Sequence, residues 1–128
     1  MRRSRGFTVI ELLFAFILIT AIAVIAVIEK NNIDSSNRDR ERKTAINALY
    51  YGLKDGYFKE HKSYPTSVSS KNLPFINPAS FKDPSGKSIG DPESNYHYEA
   101  INCDGEKCKG FHLSAVLEQE SNYKKSSE

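Results

Sequence analysis

Residues 2–30 read RRSRGFTVIELLFAFILITAIAVIAVIEK, and the reading of this stretch decides the architecture of the chain. Between residues 7 and 28 only Thr8, Glu11 and Thr20 interrupt an apolar run. At about 1.5 Å of rise per residue, such a run forms a helix of roughly 30 Å, the hydrocarbon thickness of a bilayer. Arg2, Arg3 and Arg5 precede it, whereas Glu29 and Lys30 follow it. That excess of positive charge before the span keeps the N-terminus cytoplasmic and sends the rest of the chain outward. Glu11 lies near the start of the run. A carboxylate without a partner costs on the order of 2.5–3.5 kcal/mol at membrane depth and less near the interface, so its presence asks for a reason.

Three readings compete for this segment. A cleavable secretory signal finds a small-x-small site at Ala21-Ile22-Ala23, but a carboxylate inside the apolar core and hydrophobicity that continues past the site oppose it. A plain uncleaved anchor accounts for length and orientation and leaves Glu11 with no purpose. The third reading takes Gly6, Phe7 and Glu11 together. In RSRGFTVIELL, a short basic leader ends at Gly6 and is followed by Phe7, a Thr-Val-Ile-Glu-Leu-Leu stretch and an unbroken apolar helix. This resembles the cleavage and methylation signal of type IV prepilins and pseudopilins. The resemblance implies that a prepilin peptidase/N-methyltransferase cuts between Gly6 and Phe7 and methylates the new amine of Phe7.

It also implies a role for Glu11 in assembly. Before cutting, the Phe7 nitrogen is a neutral amide and Glu11 is expected to lack a partner. Afterwards that nitrogen is an ammonium at the i, i+4 spacing. In the family's assembly model, Glu11 of an incoming subunit pairs with the Phe7 terminus of a neighbour. A buried charge is strongly unfavourable when unpaired, so this pair selects register while apolar contacts supply most of the adhesion. Methylation keeps the positive charge. Many pilins carry a helix-breaking Pro or Gly late in this segment. Residues 20–28 here have neither.

After the apolar run only about 100 residues remain for a globular part, so its core is small. The net charge is +2, from 18 Lys and Arg against 16 Asp and Glu, with both signs interspersed, which gives no support to a nucleic-acid surface. Residues 29–62 read as a polar neck and an amphipathic continuation of the helix. Asp34 with Arg38 and Asp39 with Lys43 sit at i, i+4 with the acid first, the pattern of a solvated helical face. From Ala45 onward, Ile46, Leu49, Tyr50, Leu53 and Tyr57 recur at helical spacing and form a stripe that needs a sheet to pack on. Gly52 and Gly56 fall four apart in it and permit close approach of another backbone. The helix is expected to end near residues 61–63, with His61 an ordinary helix-end residue.

All five prolines fall between residues 65 and 92, so residues 63–95 read as a loop. Within it, Tyr64-Pro65-Thr66 and Asp83-Pro84-Ser85-Gly86 resemble stretches of the major pseudopilins of type II secretion. The calcium site of some relatives cannot be carried over to residues of this chain. From Tyr96 the period becomes two. If Cys103 faces Cys108 across Asp104-Gly105-Glu106-Lys107, then Tyr96, Tyr98 and Ala100 share a face with Ala115, Leu113 and Phe111. His97 and Glu99 then share the other with Ser114 and His112. Ile101 is the misfit on that second face. Residues 96–118 are thus a hairpin and residues 119–128 a polar tail.

In an extracytoplasmic compartment Cys103 and Cys108 read as a disulfide that fixes register. The alternative is a metal site with His97 and His112. The loose spacing of a single cysteine pair and the oxidising placement oppose it. Glu99 opposite His112 is a cross-strand polar pair. No phosphate loop, nucleophile–base ordering or paired acids are present, so no catalytic residue, metal or cofactor is expected.

The expected fold is therefore α+β and pilin-like: a long N-terminal helix, half in the membrane, packed on a small antiparallel sheet. The expected divisions are a leader over 1–6, a filament-core helix over 7–28, the neck and helix over 29–62, the loop, the hairpin and the tail. The expected function is that of a non-enzymatic structural subunit of a type IV pilus-like filament, or of a pseudopilin in type II secretion or competence. A membrane-tethered binding module that does not polymerise is the rival from another class. Expected partners are the prepilin peptidase/N-methyltransferase, other pilin or pseudopilin subunits, an inner-membrane assembly platform and membrane lipid.

Overall fold

The computed structural model describes residues 6–127. Of the expected leader only Gly6 falls among them, and Arg2, Arg3 and Arg5 lie outside the described residues. Helix α1 spans Val9–Tyr51, a π-helical turn follows over Gly52–Tyr57, and α2 covers Phe58–His61. A 3₁₀ turn over Pro78–Phe81 and strands β1 (Tyr96–Asp104), β2 (Lys107–Ala115) and β3 (Tyr123–Ser126) complete the regular structure among the described residues. The chain divides into two compact units, Met1–Asp34 and Ser35–Glu128.

In the first unit the apolar side chains from Val9 to Ile28 are exposed. The helix is long and apolar enough to cross a membrane. Without Pro or Gly it runs unbroken. The hydroxyl of Thr20 is returned to the backbone, donating to the carbonyls of Phe16 (3.1 Å) and Ile17 (2.8 Å), which satisfies a polar group within the apolar run.

In the second unit the expected stripe faces inward. Ile46, Leu49 and Leu53 are fully buried, and Tyr50 and Tyr57 pack at the margin of the core. Across from them lie Phe111, Leu113 and Ala115 of β2 and Tyr96 of β1, with Leu73 and Phe81 contributed by the loop. The helix ends where expected. Lys62 takes a left-handed φ of 55° and donates its N–H to the carbonyl of Phe58, a C-terminal cap.

The antiparallel register of β1 and β2 is the expected one: Tyr96 opposes Ala115, Tyr98 opposes Leu113, Ala100 opposes Phe111, and Cys103 opposes Cys108. The turn is Gly105-Glu106, with Gly105 at φ +59°. A positive φ at only the first central residue is the pattern of a type II′ turn, which suits the twist of paired strands. Cys103 and Cys108 are joined by a disulfide. The backbone N–H and carbonyl of Cys108 both turn away from β1 to bond Tyr64, at 2.9 and 2.8 Å. The cysteine pair therefore occupies a non-hydrogen-bonded position, where facing side chains are closest. The misfit Ile101 has a partner as well. It lies over Gly110, where an added Cβ would stand 2.9 Å from its side chain.

Three expectations are corrected. Residues 119–128 are more than a tail, because β3 pairs with β2 in the order β1-β2-β3, Ala115 opposing Tyr123 and His112 opposing Ser126. Tyr123-Lys124-Lys125-Ser126 is short and nearly all polar, so its alternation is invisible in sequence; lysines on an edge strand block further pairing. Next, Gly52 and Gly56 admit side chains instead of a backbone. A Cβ on Gly52 would meet Ile76 at 2.6 Å, and one on Gly56 would collide with the Phe75 ring. Finally, the neck is not a uniformly wet face, because Asp39 and Arg42 are each only 3% exposed.

Candidate functional site

Two places in the chain gather chemistry-bearing residues, one in each unit. The first is the start of α1. Gly6, Phe7 and Thr8 are non-helical, and helical conformation begins at Val9. Phe7 is exposed, and among the described residues no atom beyond the chain neighbours lies within 4 Å of where a Cβ on Gly6 would stand. Thr8 and Glu11 close on each other. The backbone N–H of Glu11 donates to the Thr8 hydroxyl oxygen at 3.3 Å, while the Thr8 N–H and hydroxyl both donate to Glu11 Oε2 at 3.4 Å. The Thr8 carbonyl accepts from the N–H of Leu12 at 3.1 Å. This is a capping box: the side chain of the N-cap residue and that of the third helical residue satisfy each other's backbone donors.

Glu11 therefore has a partner in the uncut chain, contrary to the expectation that it waits unpaired for the Phe7 ammonium. The Thr-x-x-Glu spacing carries this cap in the sequence itself, a signal independent of the charge of Glu11.

The second place is a polar hub centred on Arg42. Its Nε and Nη2 donate to the two carboxylate oxygens of Asp83 (2.6 and 3.4 Å), and Nη1 donates to Asp39 (3.0 Å) and to Glu118 (2.8 Å). Asp39 also accepts the backbone N–H groups of Glu118 (2.8 Å) and Gln119 (2.8 Å). Asp83 further accepts from the Ser85 N–H and hydroxyl and from Asn95 Nδ2. At the rim Arg38 reaches Glu118 at 2.6 Å, and Lys43 pairs with Glu120 at 2.6 Å instead of with Asp39. One guanidinium thus ties together helix, loop and the segment after β2.

The electrostatics follow from these contacts. Burial alone raises the carboxyl of Asp83, but hydrogen bonds from Arg42, Ser85 and Asn95 outweigh it and hold the group well below the usual carboxylate range. The same balance, through the amides of Glu118 and Gln119 and through Arg42, lowers Asp39. Arg38 and Arg42 bring Glu118 down to about 2. Groups whose folded values are depressed stabilise the fold at pH above their unfolded values of 3.8 and 4.5, and that contribution is lost as protons bind. The melting temperature of the unit from Ser35 onward is therefore expected to fall as pH drops from about 4.5 toward 2. A flat profile over that window, followed by circular dichroism, would remove the hub from the stabilising interactions.

The remaining expected site residues are placed as follows. The disulfide engages both cysteines, which takes them from any metal site with His97 and His112. Glu99 and His112 oppose each other across β1 and β2. His61 stacks on Tyr57 at 4.1 Å between ring centroids, a helix-end packing contact. Among the described residues, no three His, Cys, Asp or Glu side chains gather to hold a metal ion.

Comparison with known proteins adds one finding at the first site. Residues 1–27 match the prokaryotic N-terminal methylation motif, the type IV pilin and pseudopilin prepilin signal. No curated protein and no solved structure matches the chain. The chain thus carries a prepilin-type N-terminal methylation motif, its long helix packs on a small antiparallel sheet in a pilin-like arrangement, and the apolar helix fits a membrane-anchored protein.

Proposed function

We propose that this precursor is a structural subunit of a type IV pilus-like filament. It is stored in the membrane, cut between Gly6 and Phe7, methylated on Phe7 and polymerised through its apolar helix, with Glu11 setting register. The observation that carries the reading is the conjunction, at the motif of residues 1–27, of an exposed non-helical cut site with an unbroken helix whose apolar side chains are exposed from Val9 to Ile28. Such a surface requires lipid before assembly and other copies after it. The N-terminus is cytoplasmic and the head extracytoplasmic. The disulfide supports an oxidising compartment for the head. The partners are a prepilin peptidase/N-methyltransferase, neighbouring pilin or pseudopilin subunits, an inner-membrane assembly platform and lipid.

A pseudopilin of a type II secretion or competence system is the second reading. It is favoured by the two stretches that resemble those of major pseudopilins. Tyr64 bonds β2 through Cys108, and the Asp83 carboxylate binds both the turn residue Ser85 and buried Arg42. Both stretches are therefore parts of the core framework and not free loop.

The test is to purify the polymer and identify the terminus of its subunit, which is expected to be N-methylated Phe7. Gly6→Val is expected to leave the leader attached. Because no described residue beyond its chain neighbours lies within 4 Å of a Cβ at Gly6, a block is expected to arise in the peptidase site and not from misfolding. Mature protein beginning elsewhere, or normal processing of Gly6→Val, sinks the reading. Surface filaments lost on deletion of the gene favour the pilus, and lost secretion with no surface filament favours the pseudopilin.

A further inference from the structure

We infer that Thr8 is a positioning residue for processing: its cap on α1 keeps the Gly6–Phe7 peptide outside the helix, as extended chain that a peptidase can engage. The inference rests on the reading of the chain as a prepilin. In the reaction, water adds across the Gly6–Phe7 bond, leaving a carboxylate on Gly6 and an ammonium on Phe7. The peptidase has to reach the carbonyl of Gly6. In a helix begun earlier that carbonyl would accept the N–H of Ile10, and the carbonyl of Phe7 would accept the N–H of Glu11. Here the Glu11 N–H is taken by the Thr8 hydroxyl at 3.3 Å, the Thr8 N–H faces Glu11 Oε2 at 3.4 Å, and helical conformation begins at Val9.

The cap is needed because the sequence offers earlier starts. Gly6 and Ser4 are both competent N-cap types, and the residues after Thr8 propagate a helix strongly. A helix capped by Gly6 would make Phe7 its first residue, and one capped by Ser4 would enclose the scissile bond in its first turn. Thr8, with Glu11 closing the box, makes the later start the favoured one. Glutamine closes the same box, so the charge of Glu11 is not required for this role.

The test uses the full-length precursor in detergent with a prepilin peptidase, and reads the initial rate of appearance of the chain beginning at Phe7 by mass. Thr8→Val keeps the shape and removes the cap, and Thr8→Ala removes both. Each is expected to be cut up to about three-fold more slowly, because loss of an N-cap shifts the choice of helix start by about five-fold and a start that wild type favours loses less than that in population. Thr8→Ser and Thr8→Asn, caps of different shape, are expected to stay within about two-fold of wild type. Wild-type rate in Thr8→Val, or slow cutting of both Ser and Asn variants, overturns the inference, because the rates then follow peptidase contact or nothing at all. An enzyme-free readout is the ¹³Cα shift of Phe7, expected to be non-helical in wild type and to move toward helical values in Thr8→Val. An unchanged shift overturns the inference while leaving the prepilin reading intact. Wild-type precursor that is not cut at this bond overturns both.

Discussion

A Glu11→Gln protein, expressed as the sole copy, is expected to insert and be cut normally and to yield filaments at one tenth of the wild-type amount or less. Insertion survives because the change removes a charge from an apolar segment, which lipid favours. Cutting survives because Gln can still accept from the amide of Thr8, as Glu11 does at 3.4 Å. On the proposed reading polymerisation fails, because the new Phe7 ammonium of the neighbouring subunit would be left in a bundle of apolar helices with no counter-ion. Leaving one member of such a pair unpaired costs several kcal/mol, and each 1.4 kcal/mol is about ten-fold in an equilibrium. The measurement is sheared filament yield, or secretion output, after mass has confirmed the processed N-terminus. A plain anchor predicts the opposite sign, since a neutral residue sits better in lipid. Wild-type yield from a processed Glu11→Gln protein would show that the carboxylate sets no register.

Arg42→Met carries the largest expected effect on stability, a loss of about 3–5 kcal/mol, the cost of removing one partner from a buried ionic network. The guanidinium and both aspartates are almost fully shielded from water. Without the cation, Asp39 and Asp83 keep their amide and hydroxyl donors but sit as two buried negative charges. Urea denaturation of the unit from Ser35 onward checks this, with Lys43→Met as the comparison. Lys43 is about one third exposed and meets a more exposed Glu120, so its loss is expected to cost under about 1 kcal/mol. A similar small loss for Arg42→Met would mean that water or neighbouring side chains rescue the aspartates, and the hub would not be a stabilising centre.

The helix and the hairpin were legible for distinct physical reasons. An apolar run of bilayer length admits few structures, and period-two alternation around a cysteine pair has one register that buries a single face. Ile46, Leu49 and Leu53 showed themselves because local spacing fixes which side of a helix they share. The Arg42 hub stayed hidden because its members are 41 and 76 residues apart in sequence, and a charged neck looks the same whether wet or buried until its partners are known. The i, i+4 rule pointed to Asp39 with Lys43, and tertiary contacts redirected both. The third strand was missed for want of apolar residues. It is held in part by polar contacts, Tyr123 to Asn47 at 3.0 Å and Ser127 to Phe111 in both directions.

The two glycines of the π-helical turn have a bearing on how such a head can diversify. Because Gly52 and Gly56 leave a bare strip that Ile76 and Phe75 fill, the attachment point of the long loop is encoded in the helix and not in the loop's own length. Residues 90–93 are exposed and lie well along the chain from that socket. Insertions or exchanges there alter the exposed surface while the socket, the strands and helix α1 keep their geometry. The exposed surface and the framework beneath it can therefore vary independently.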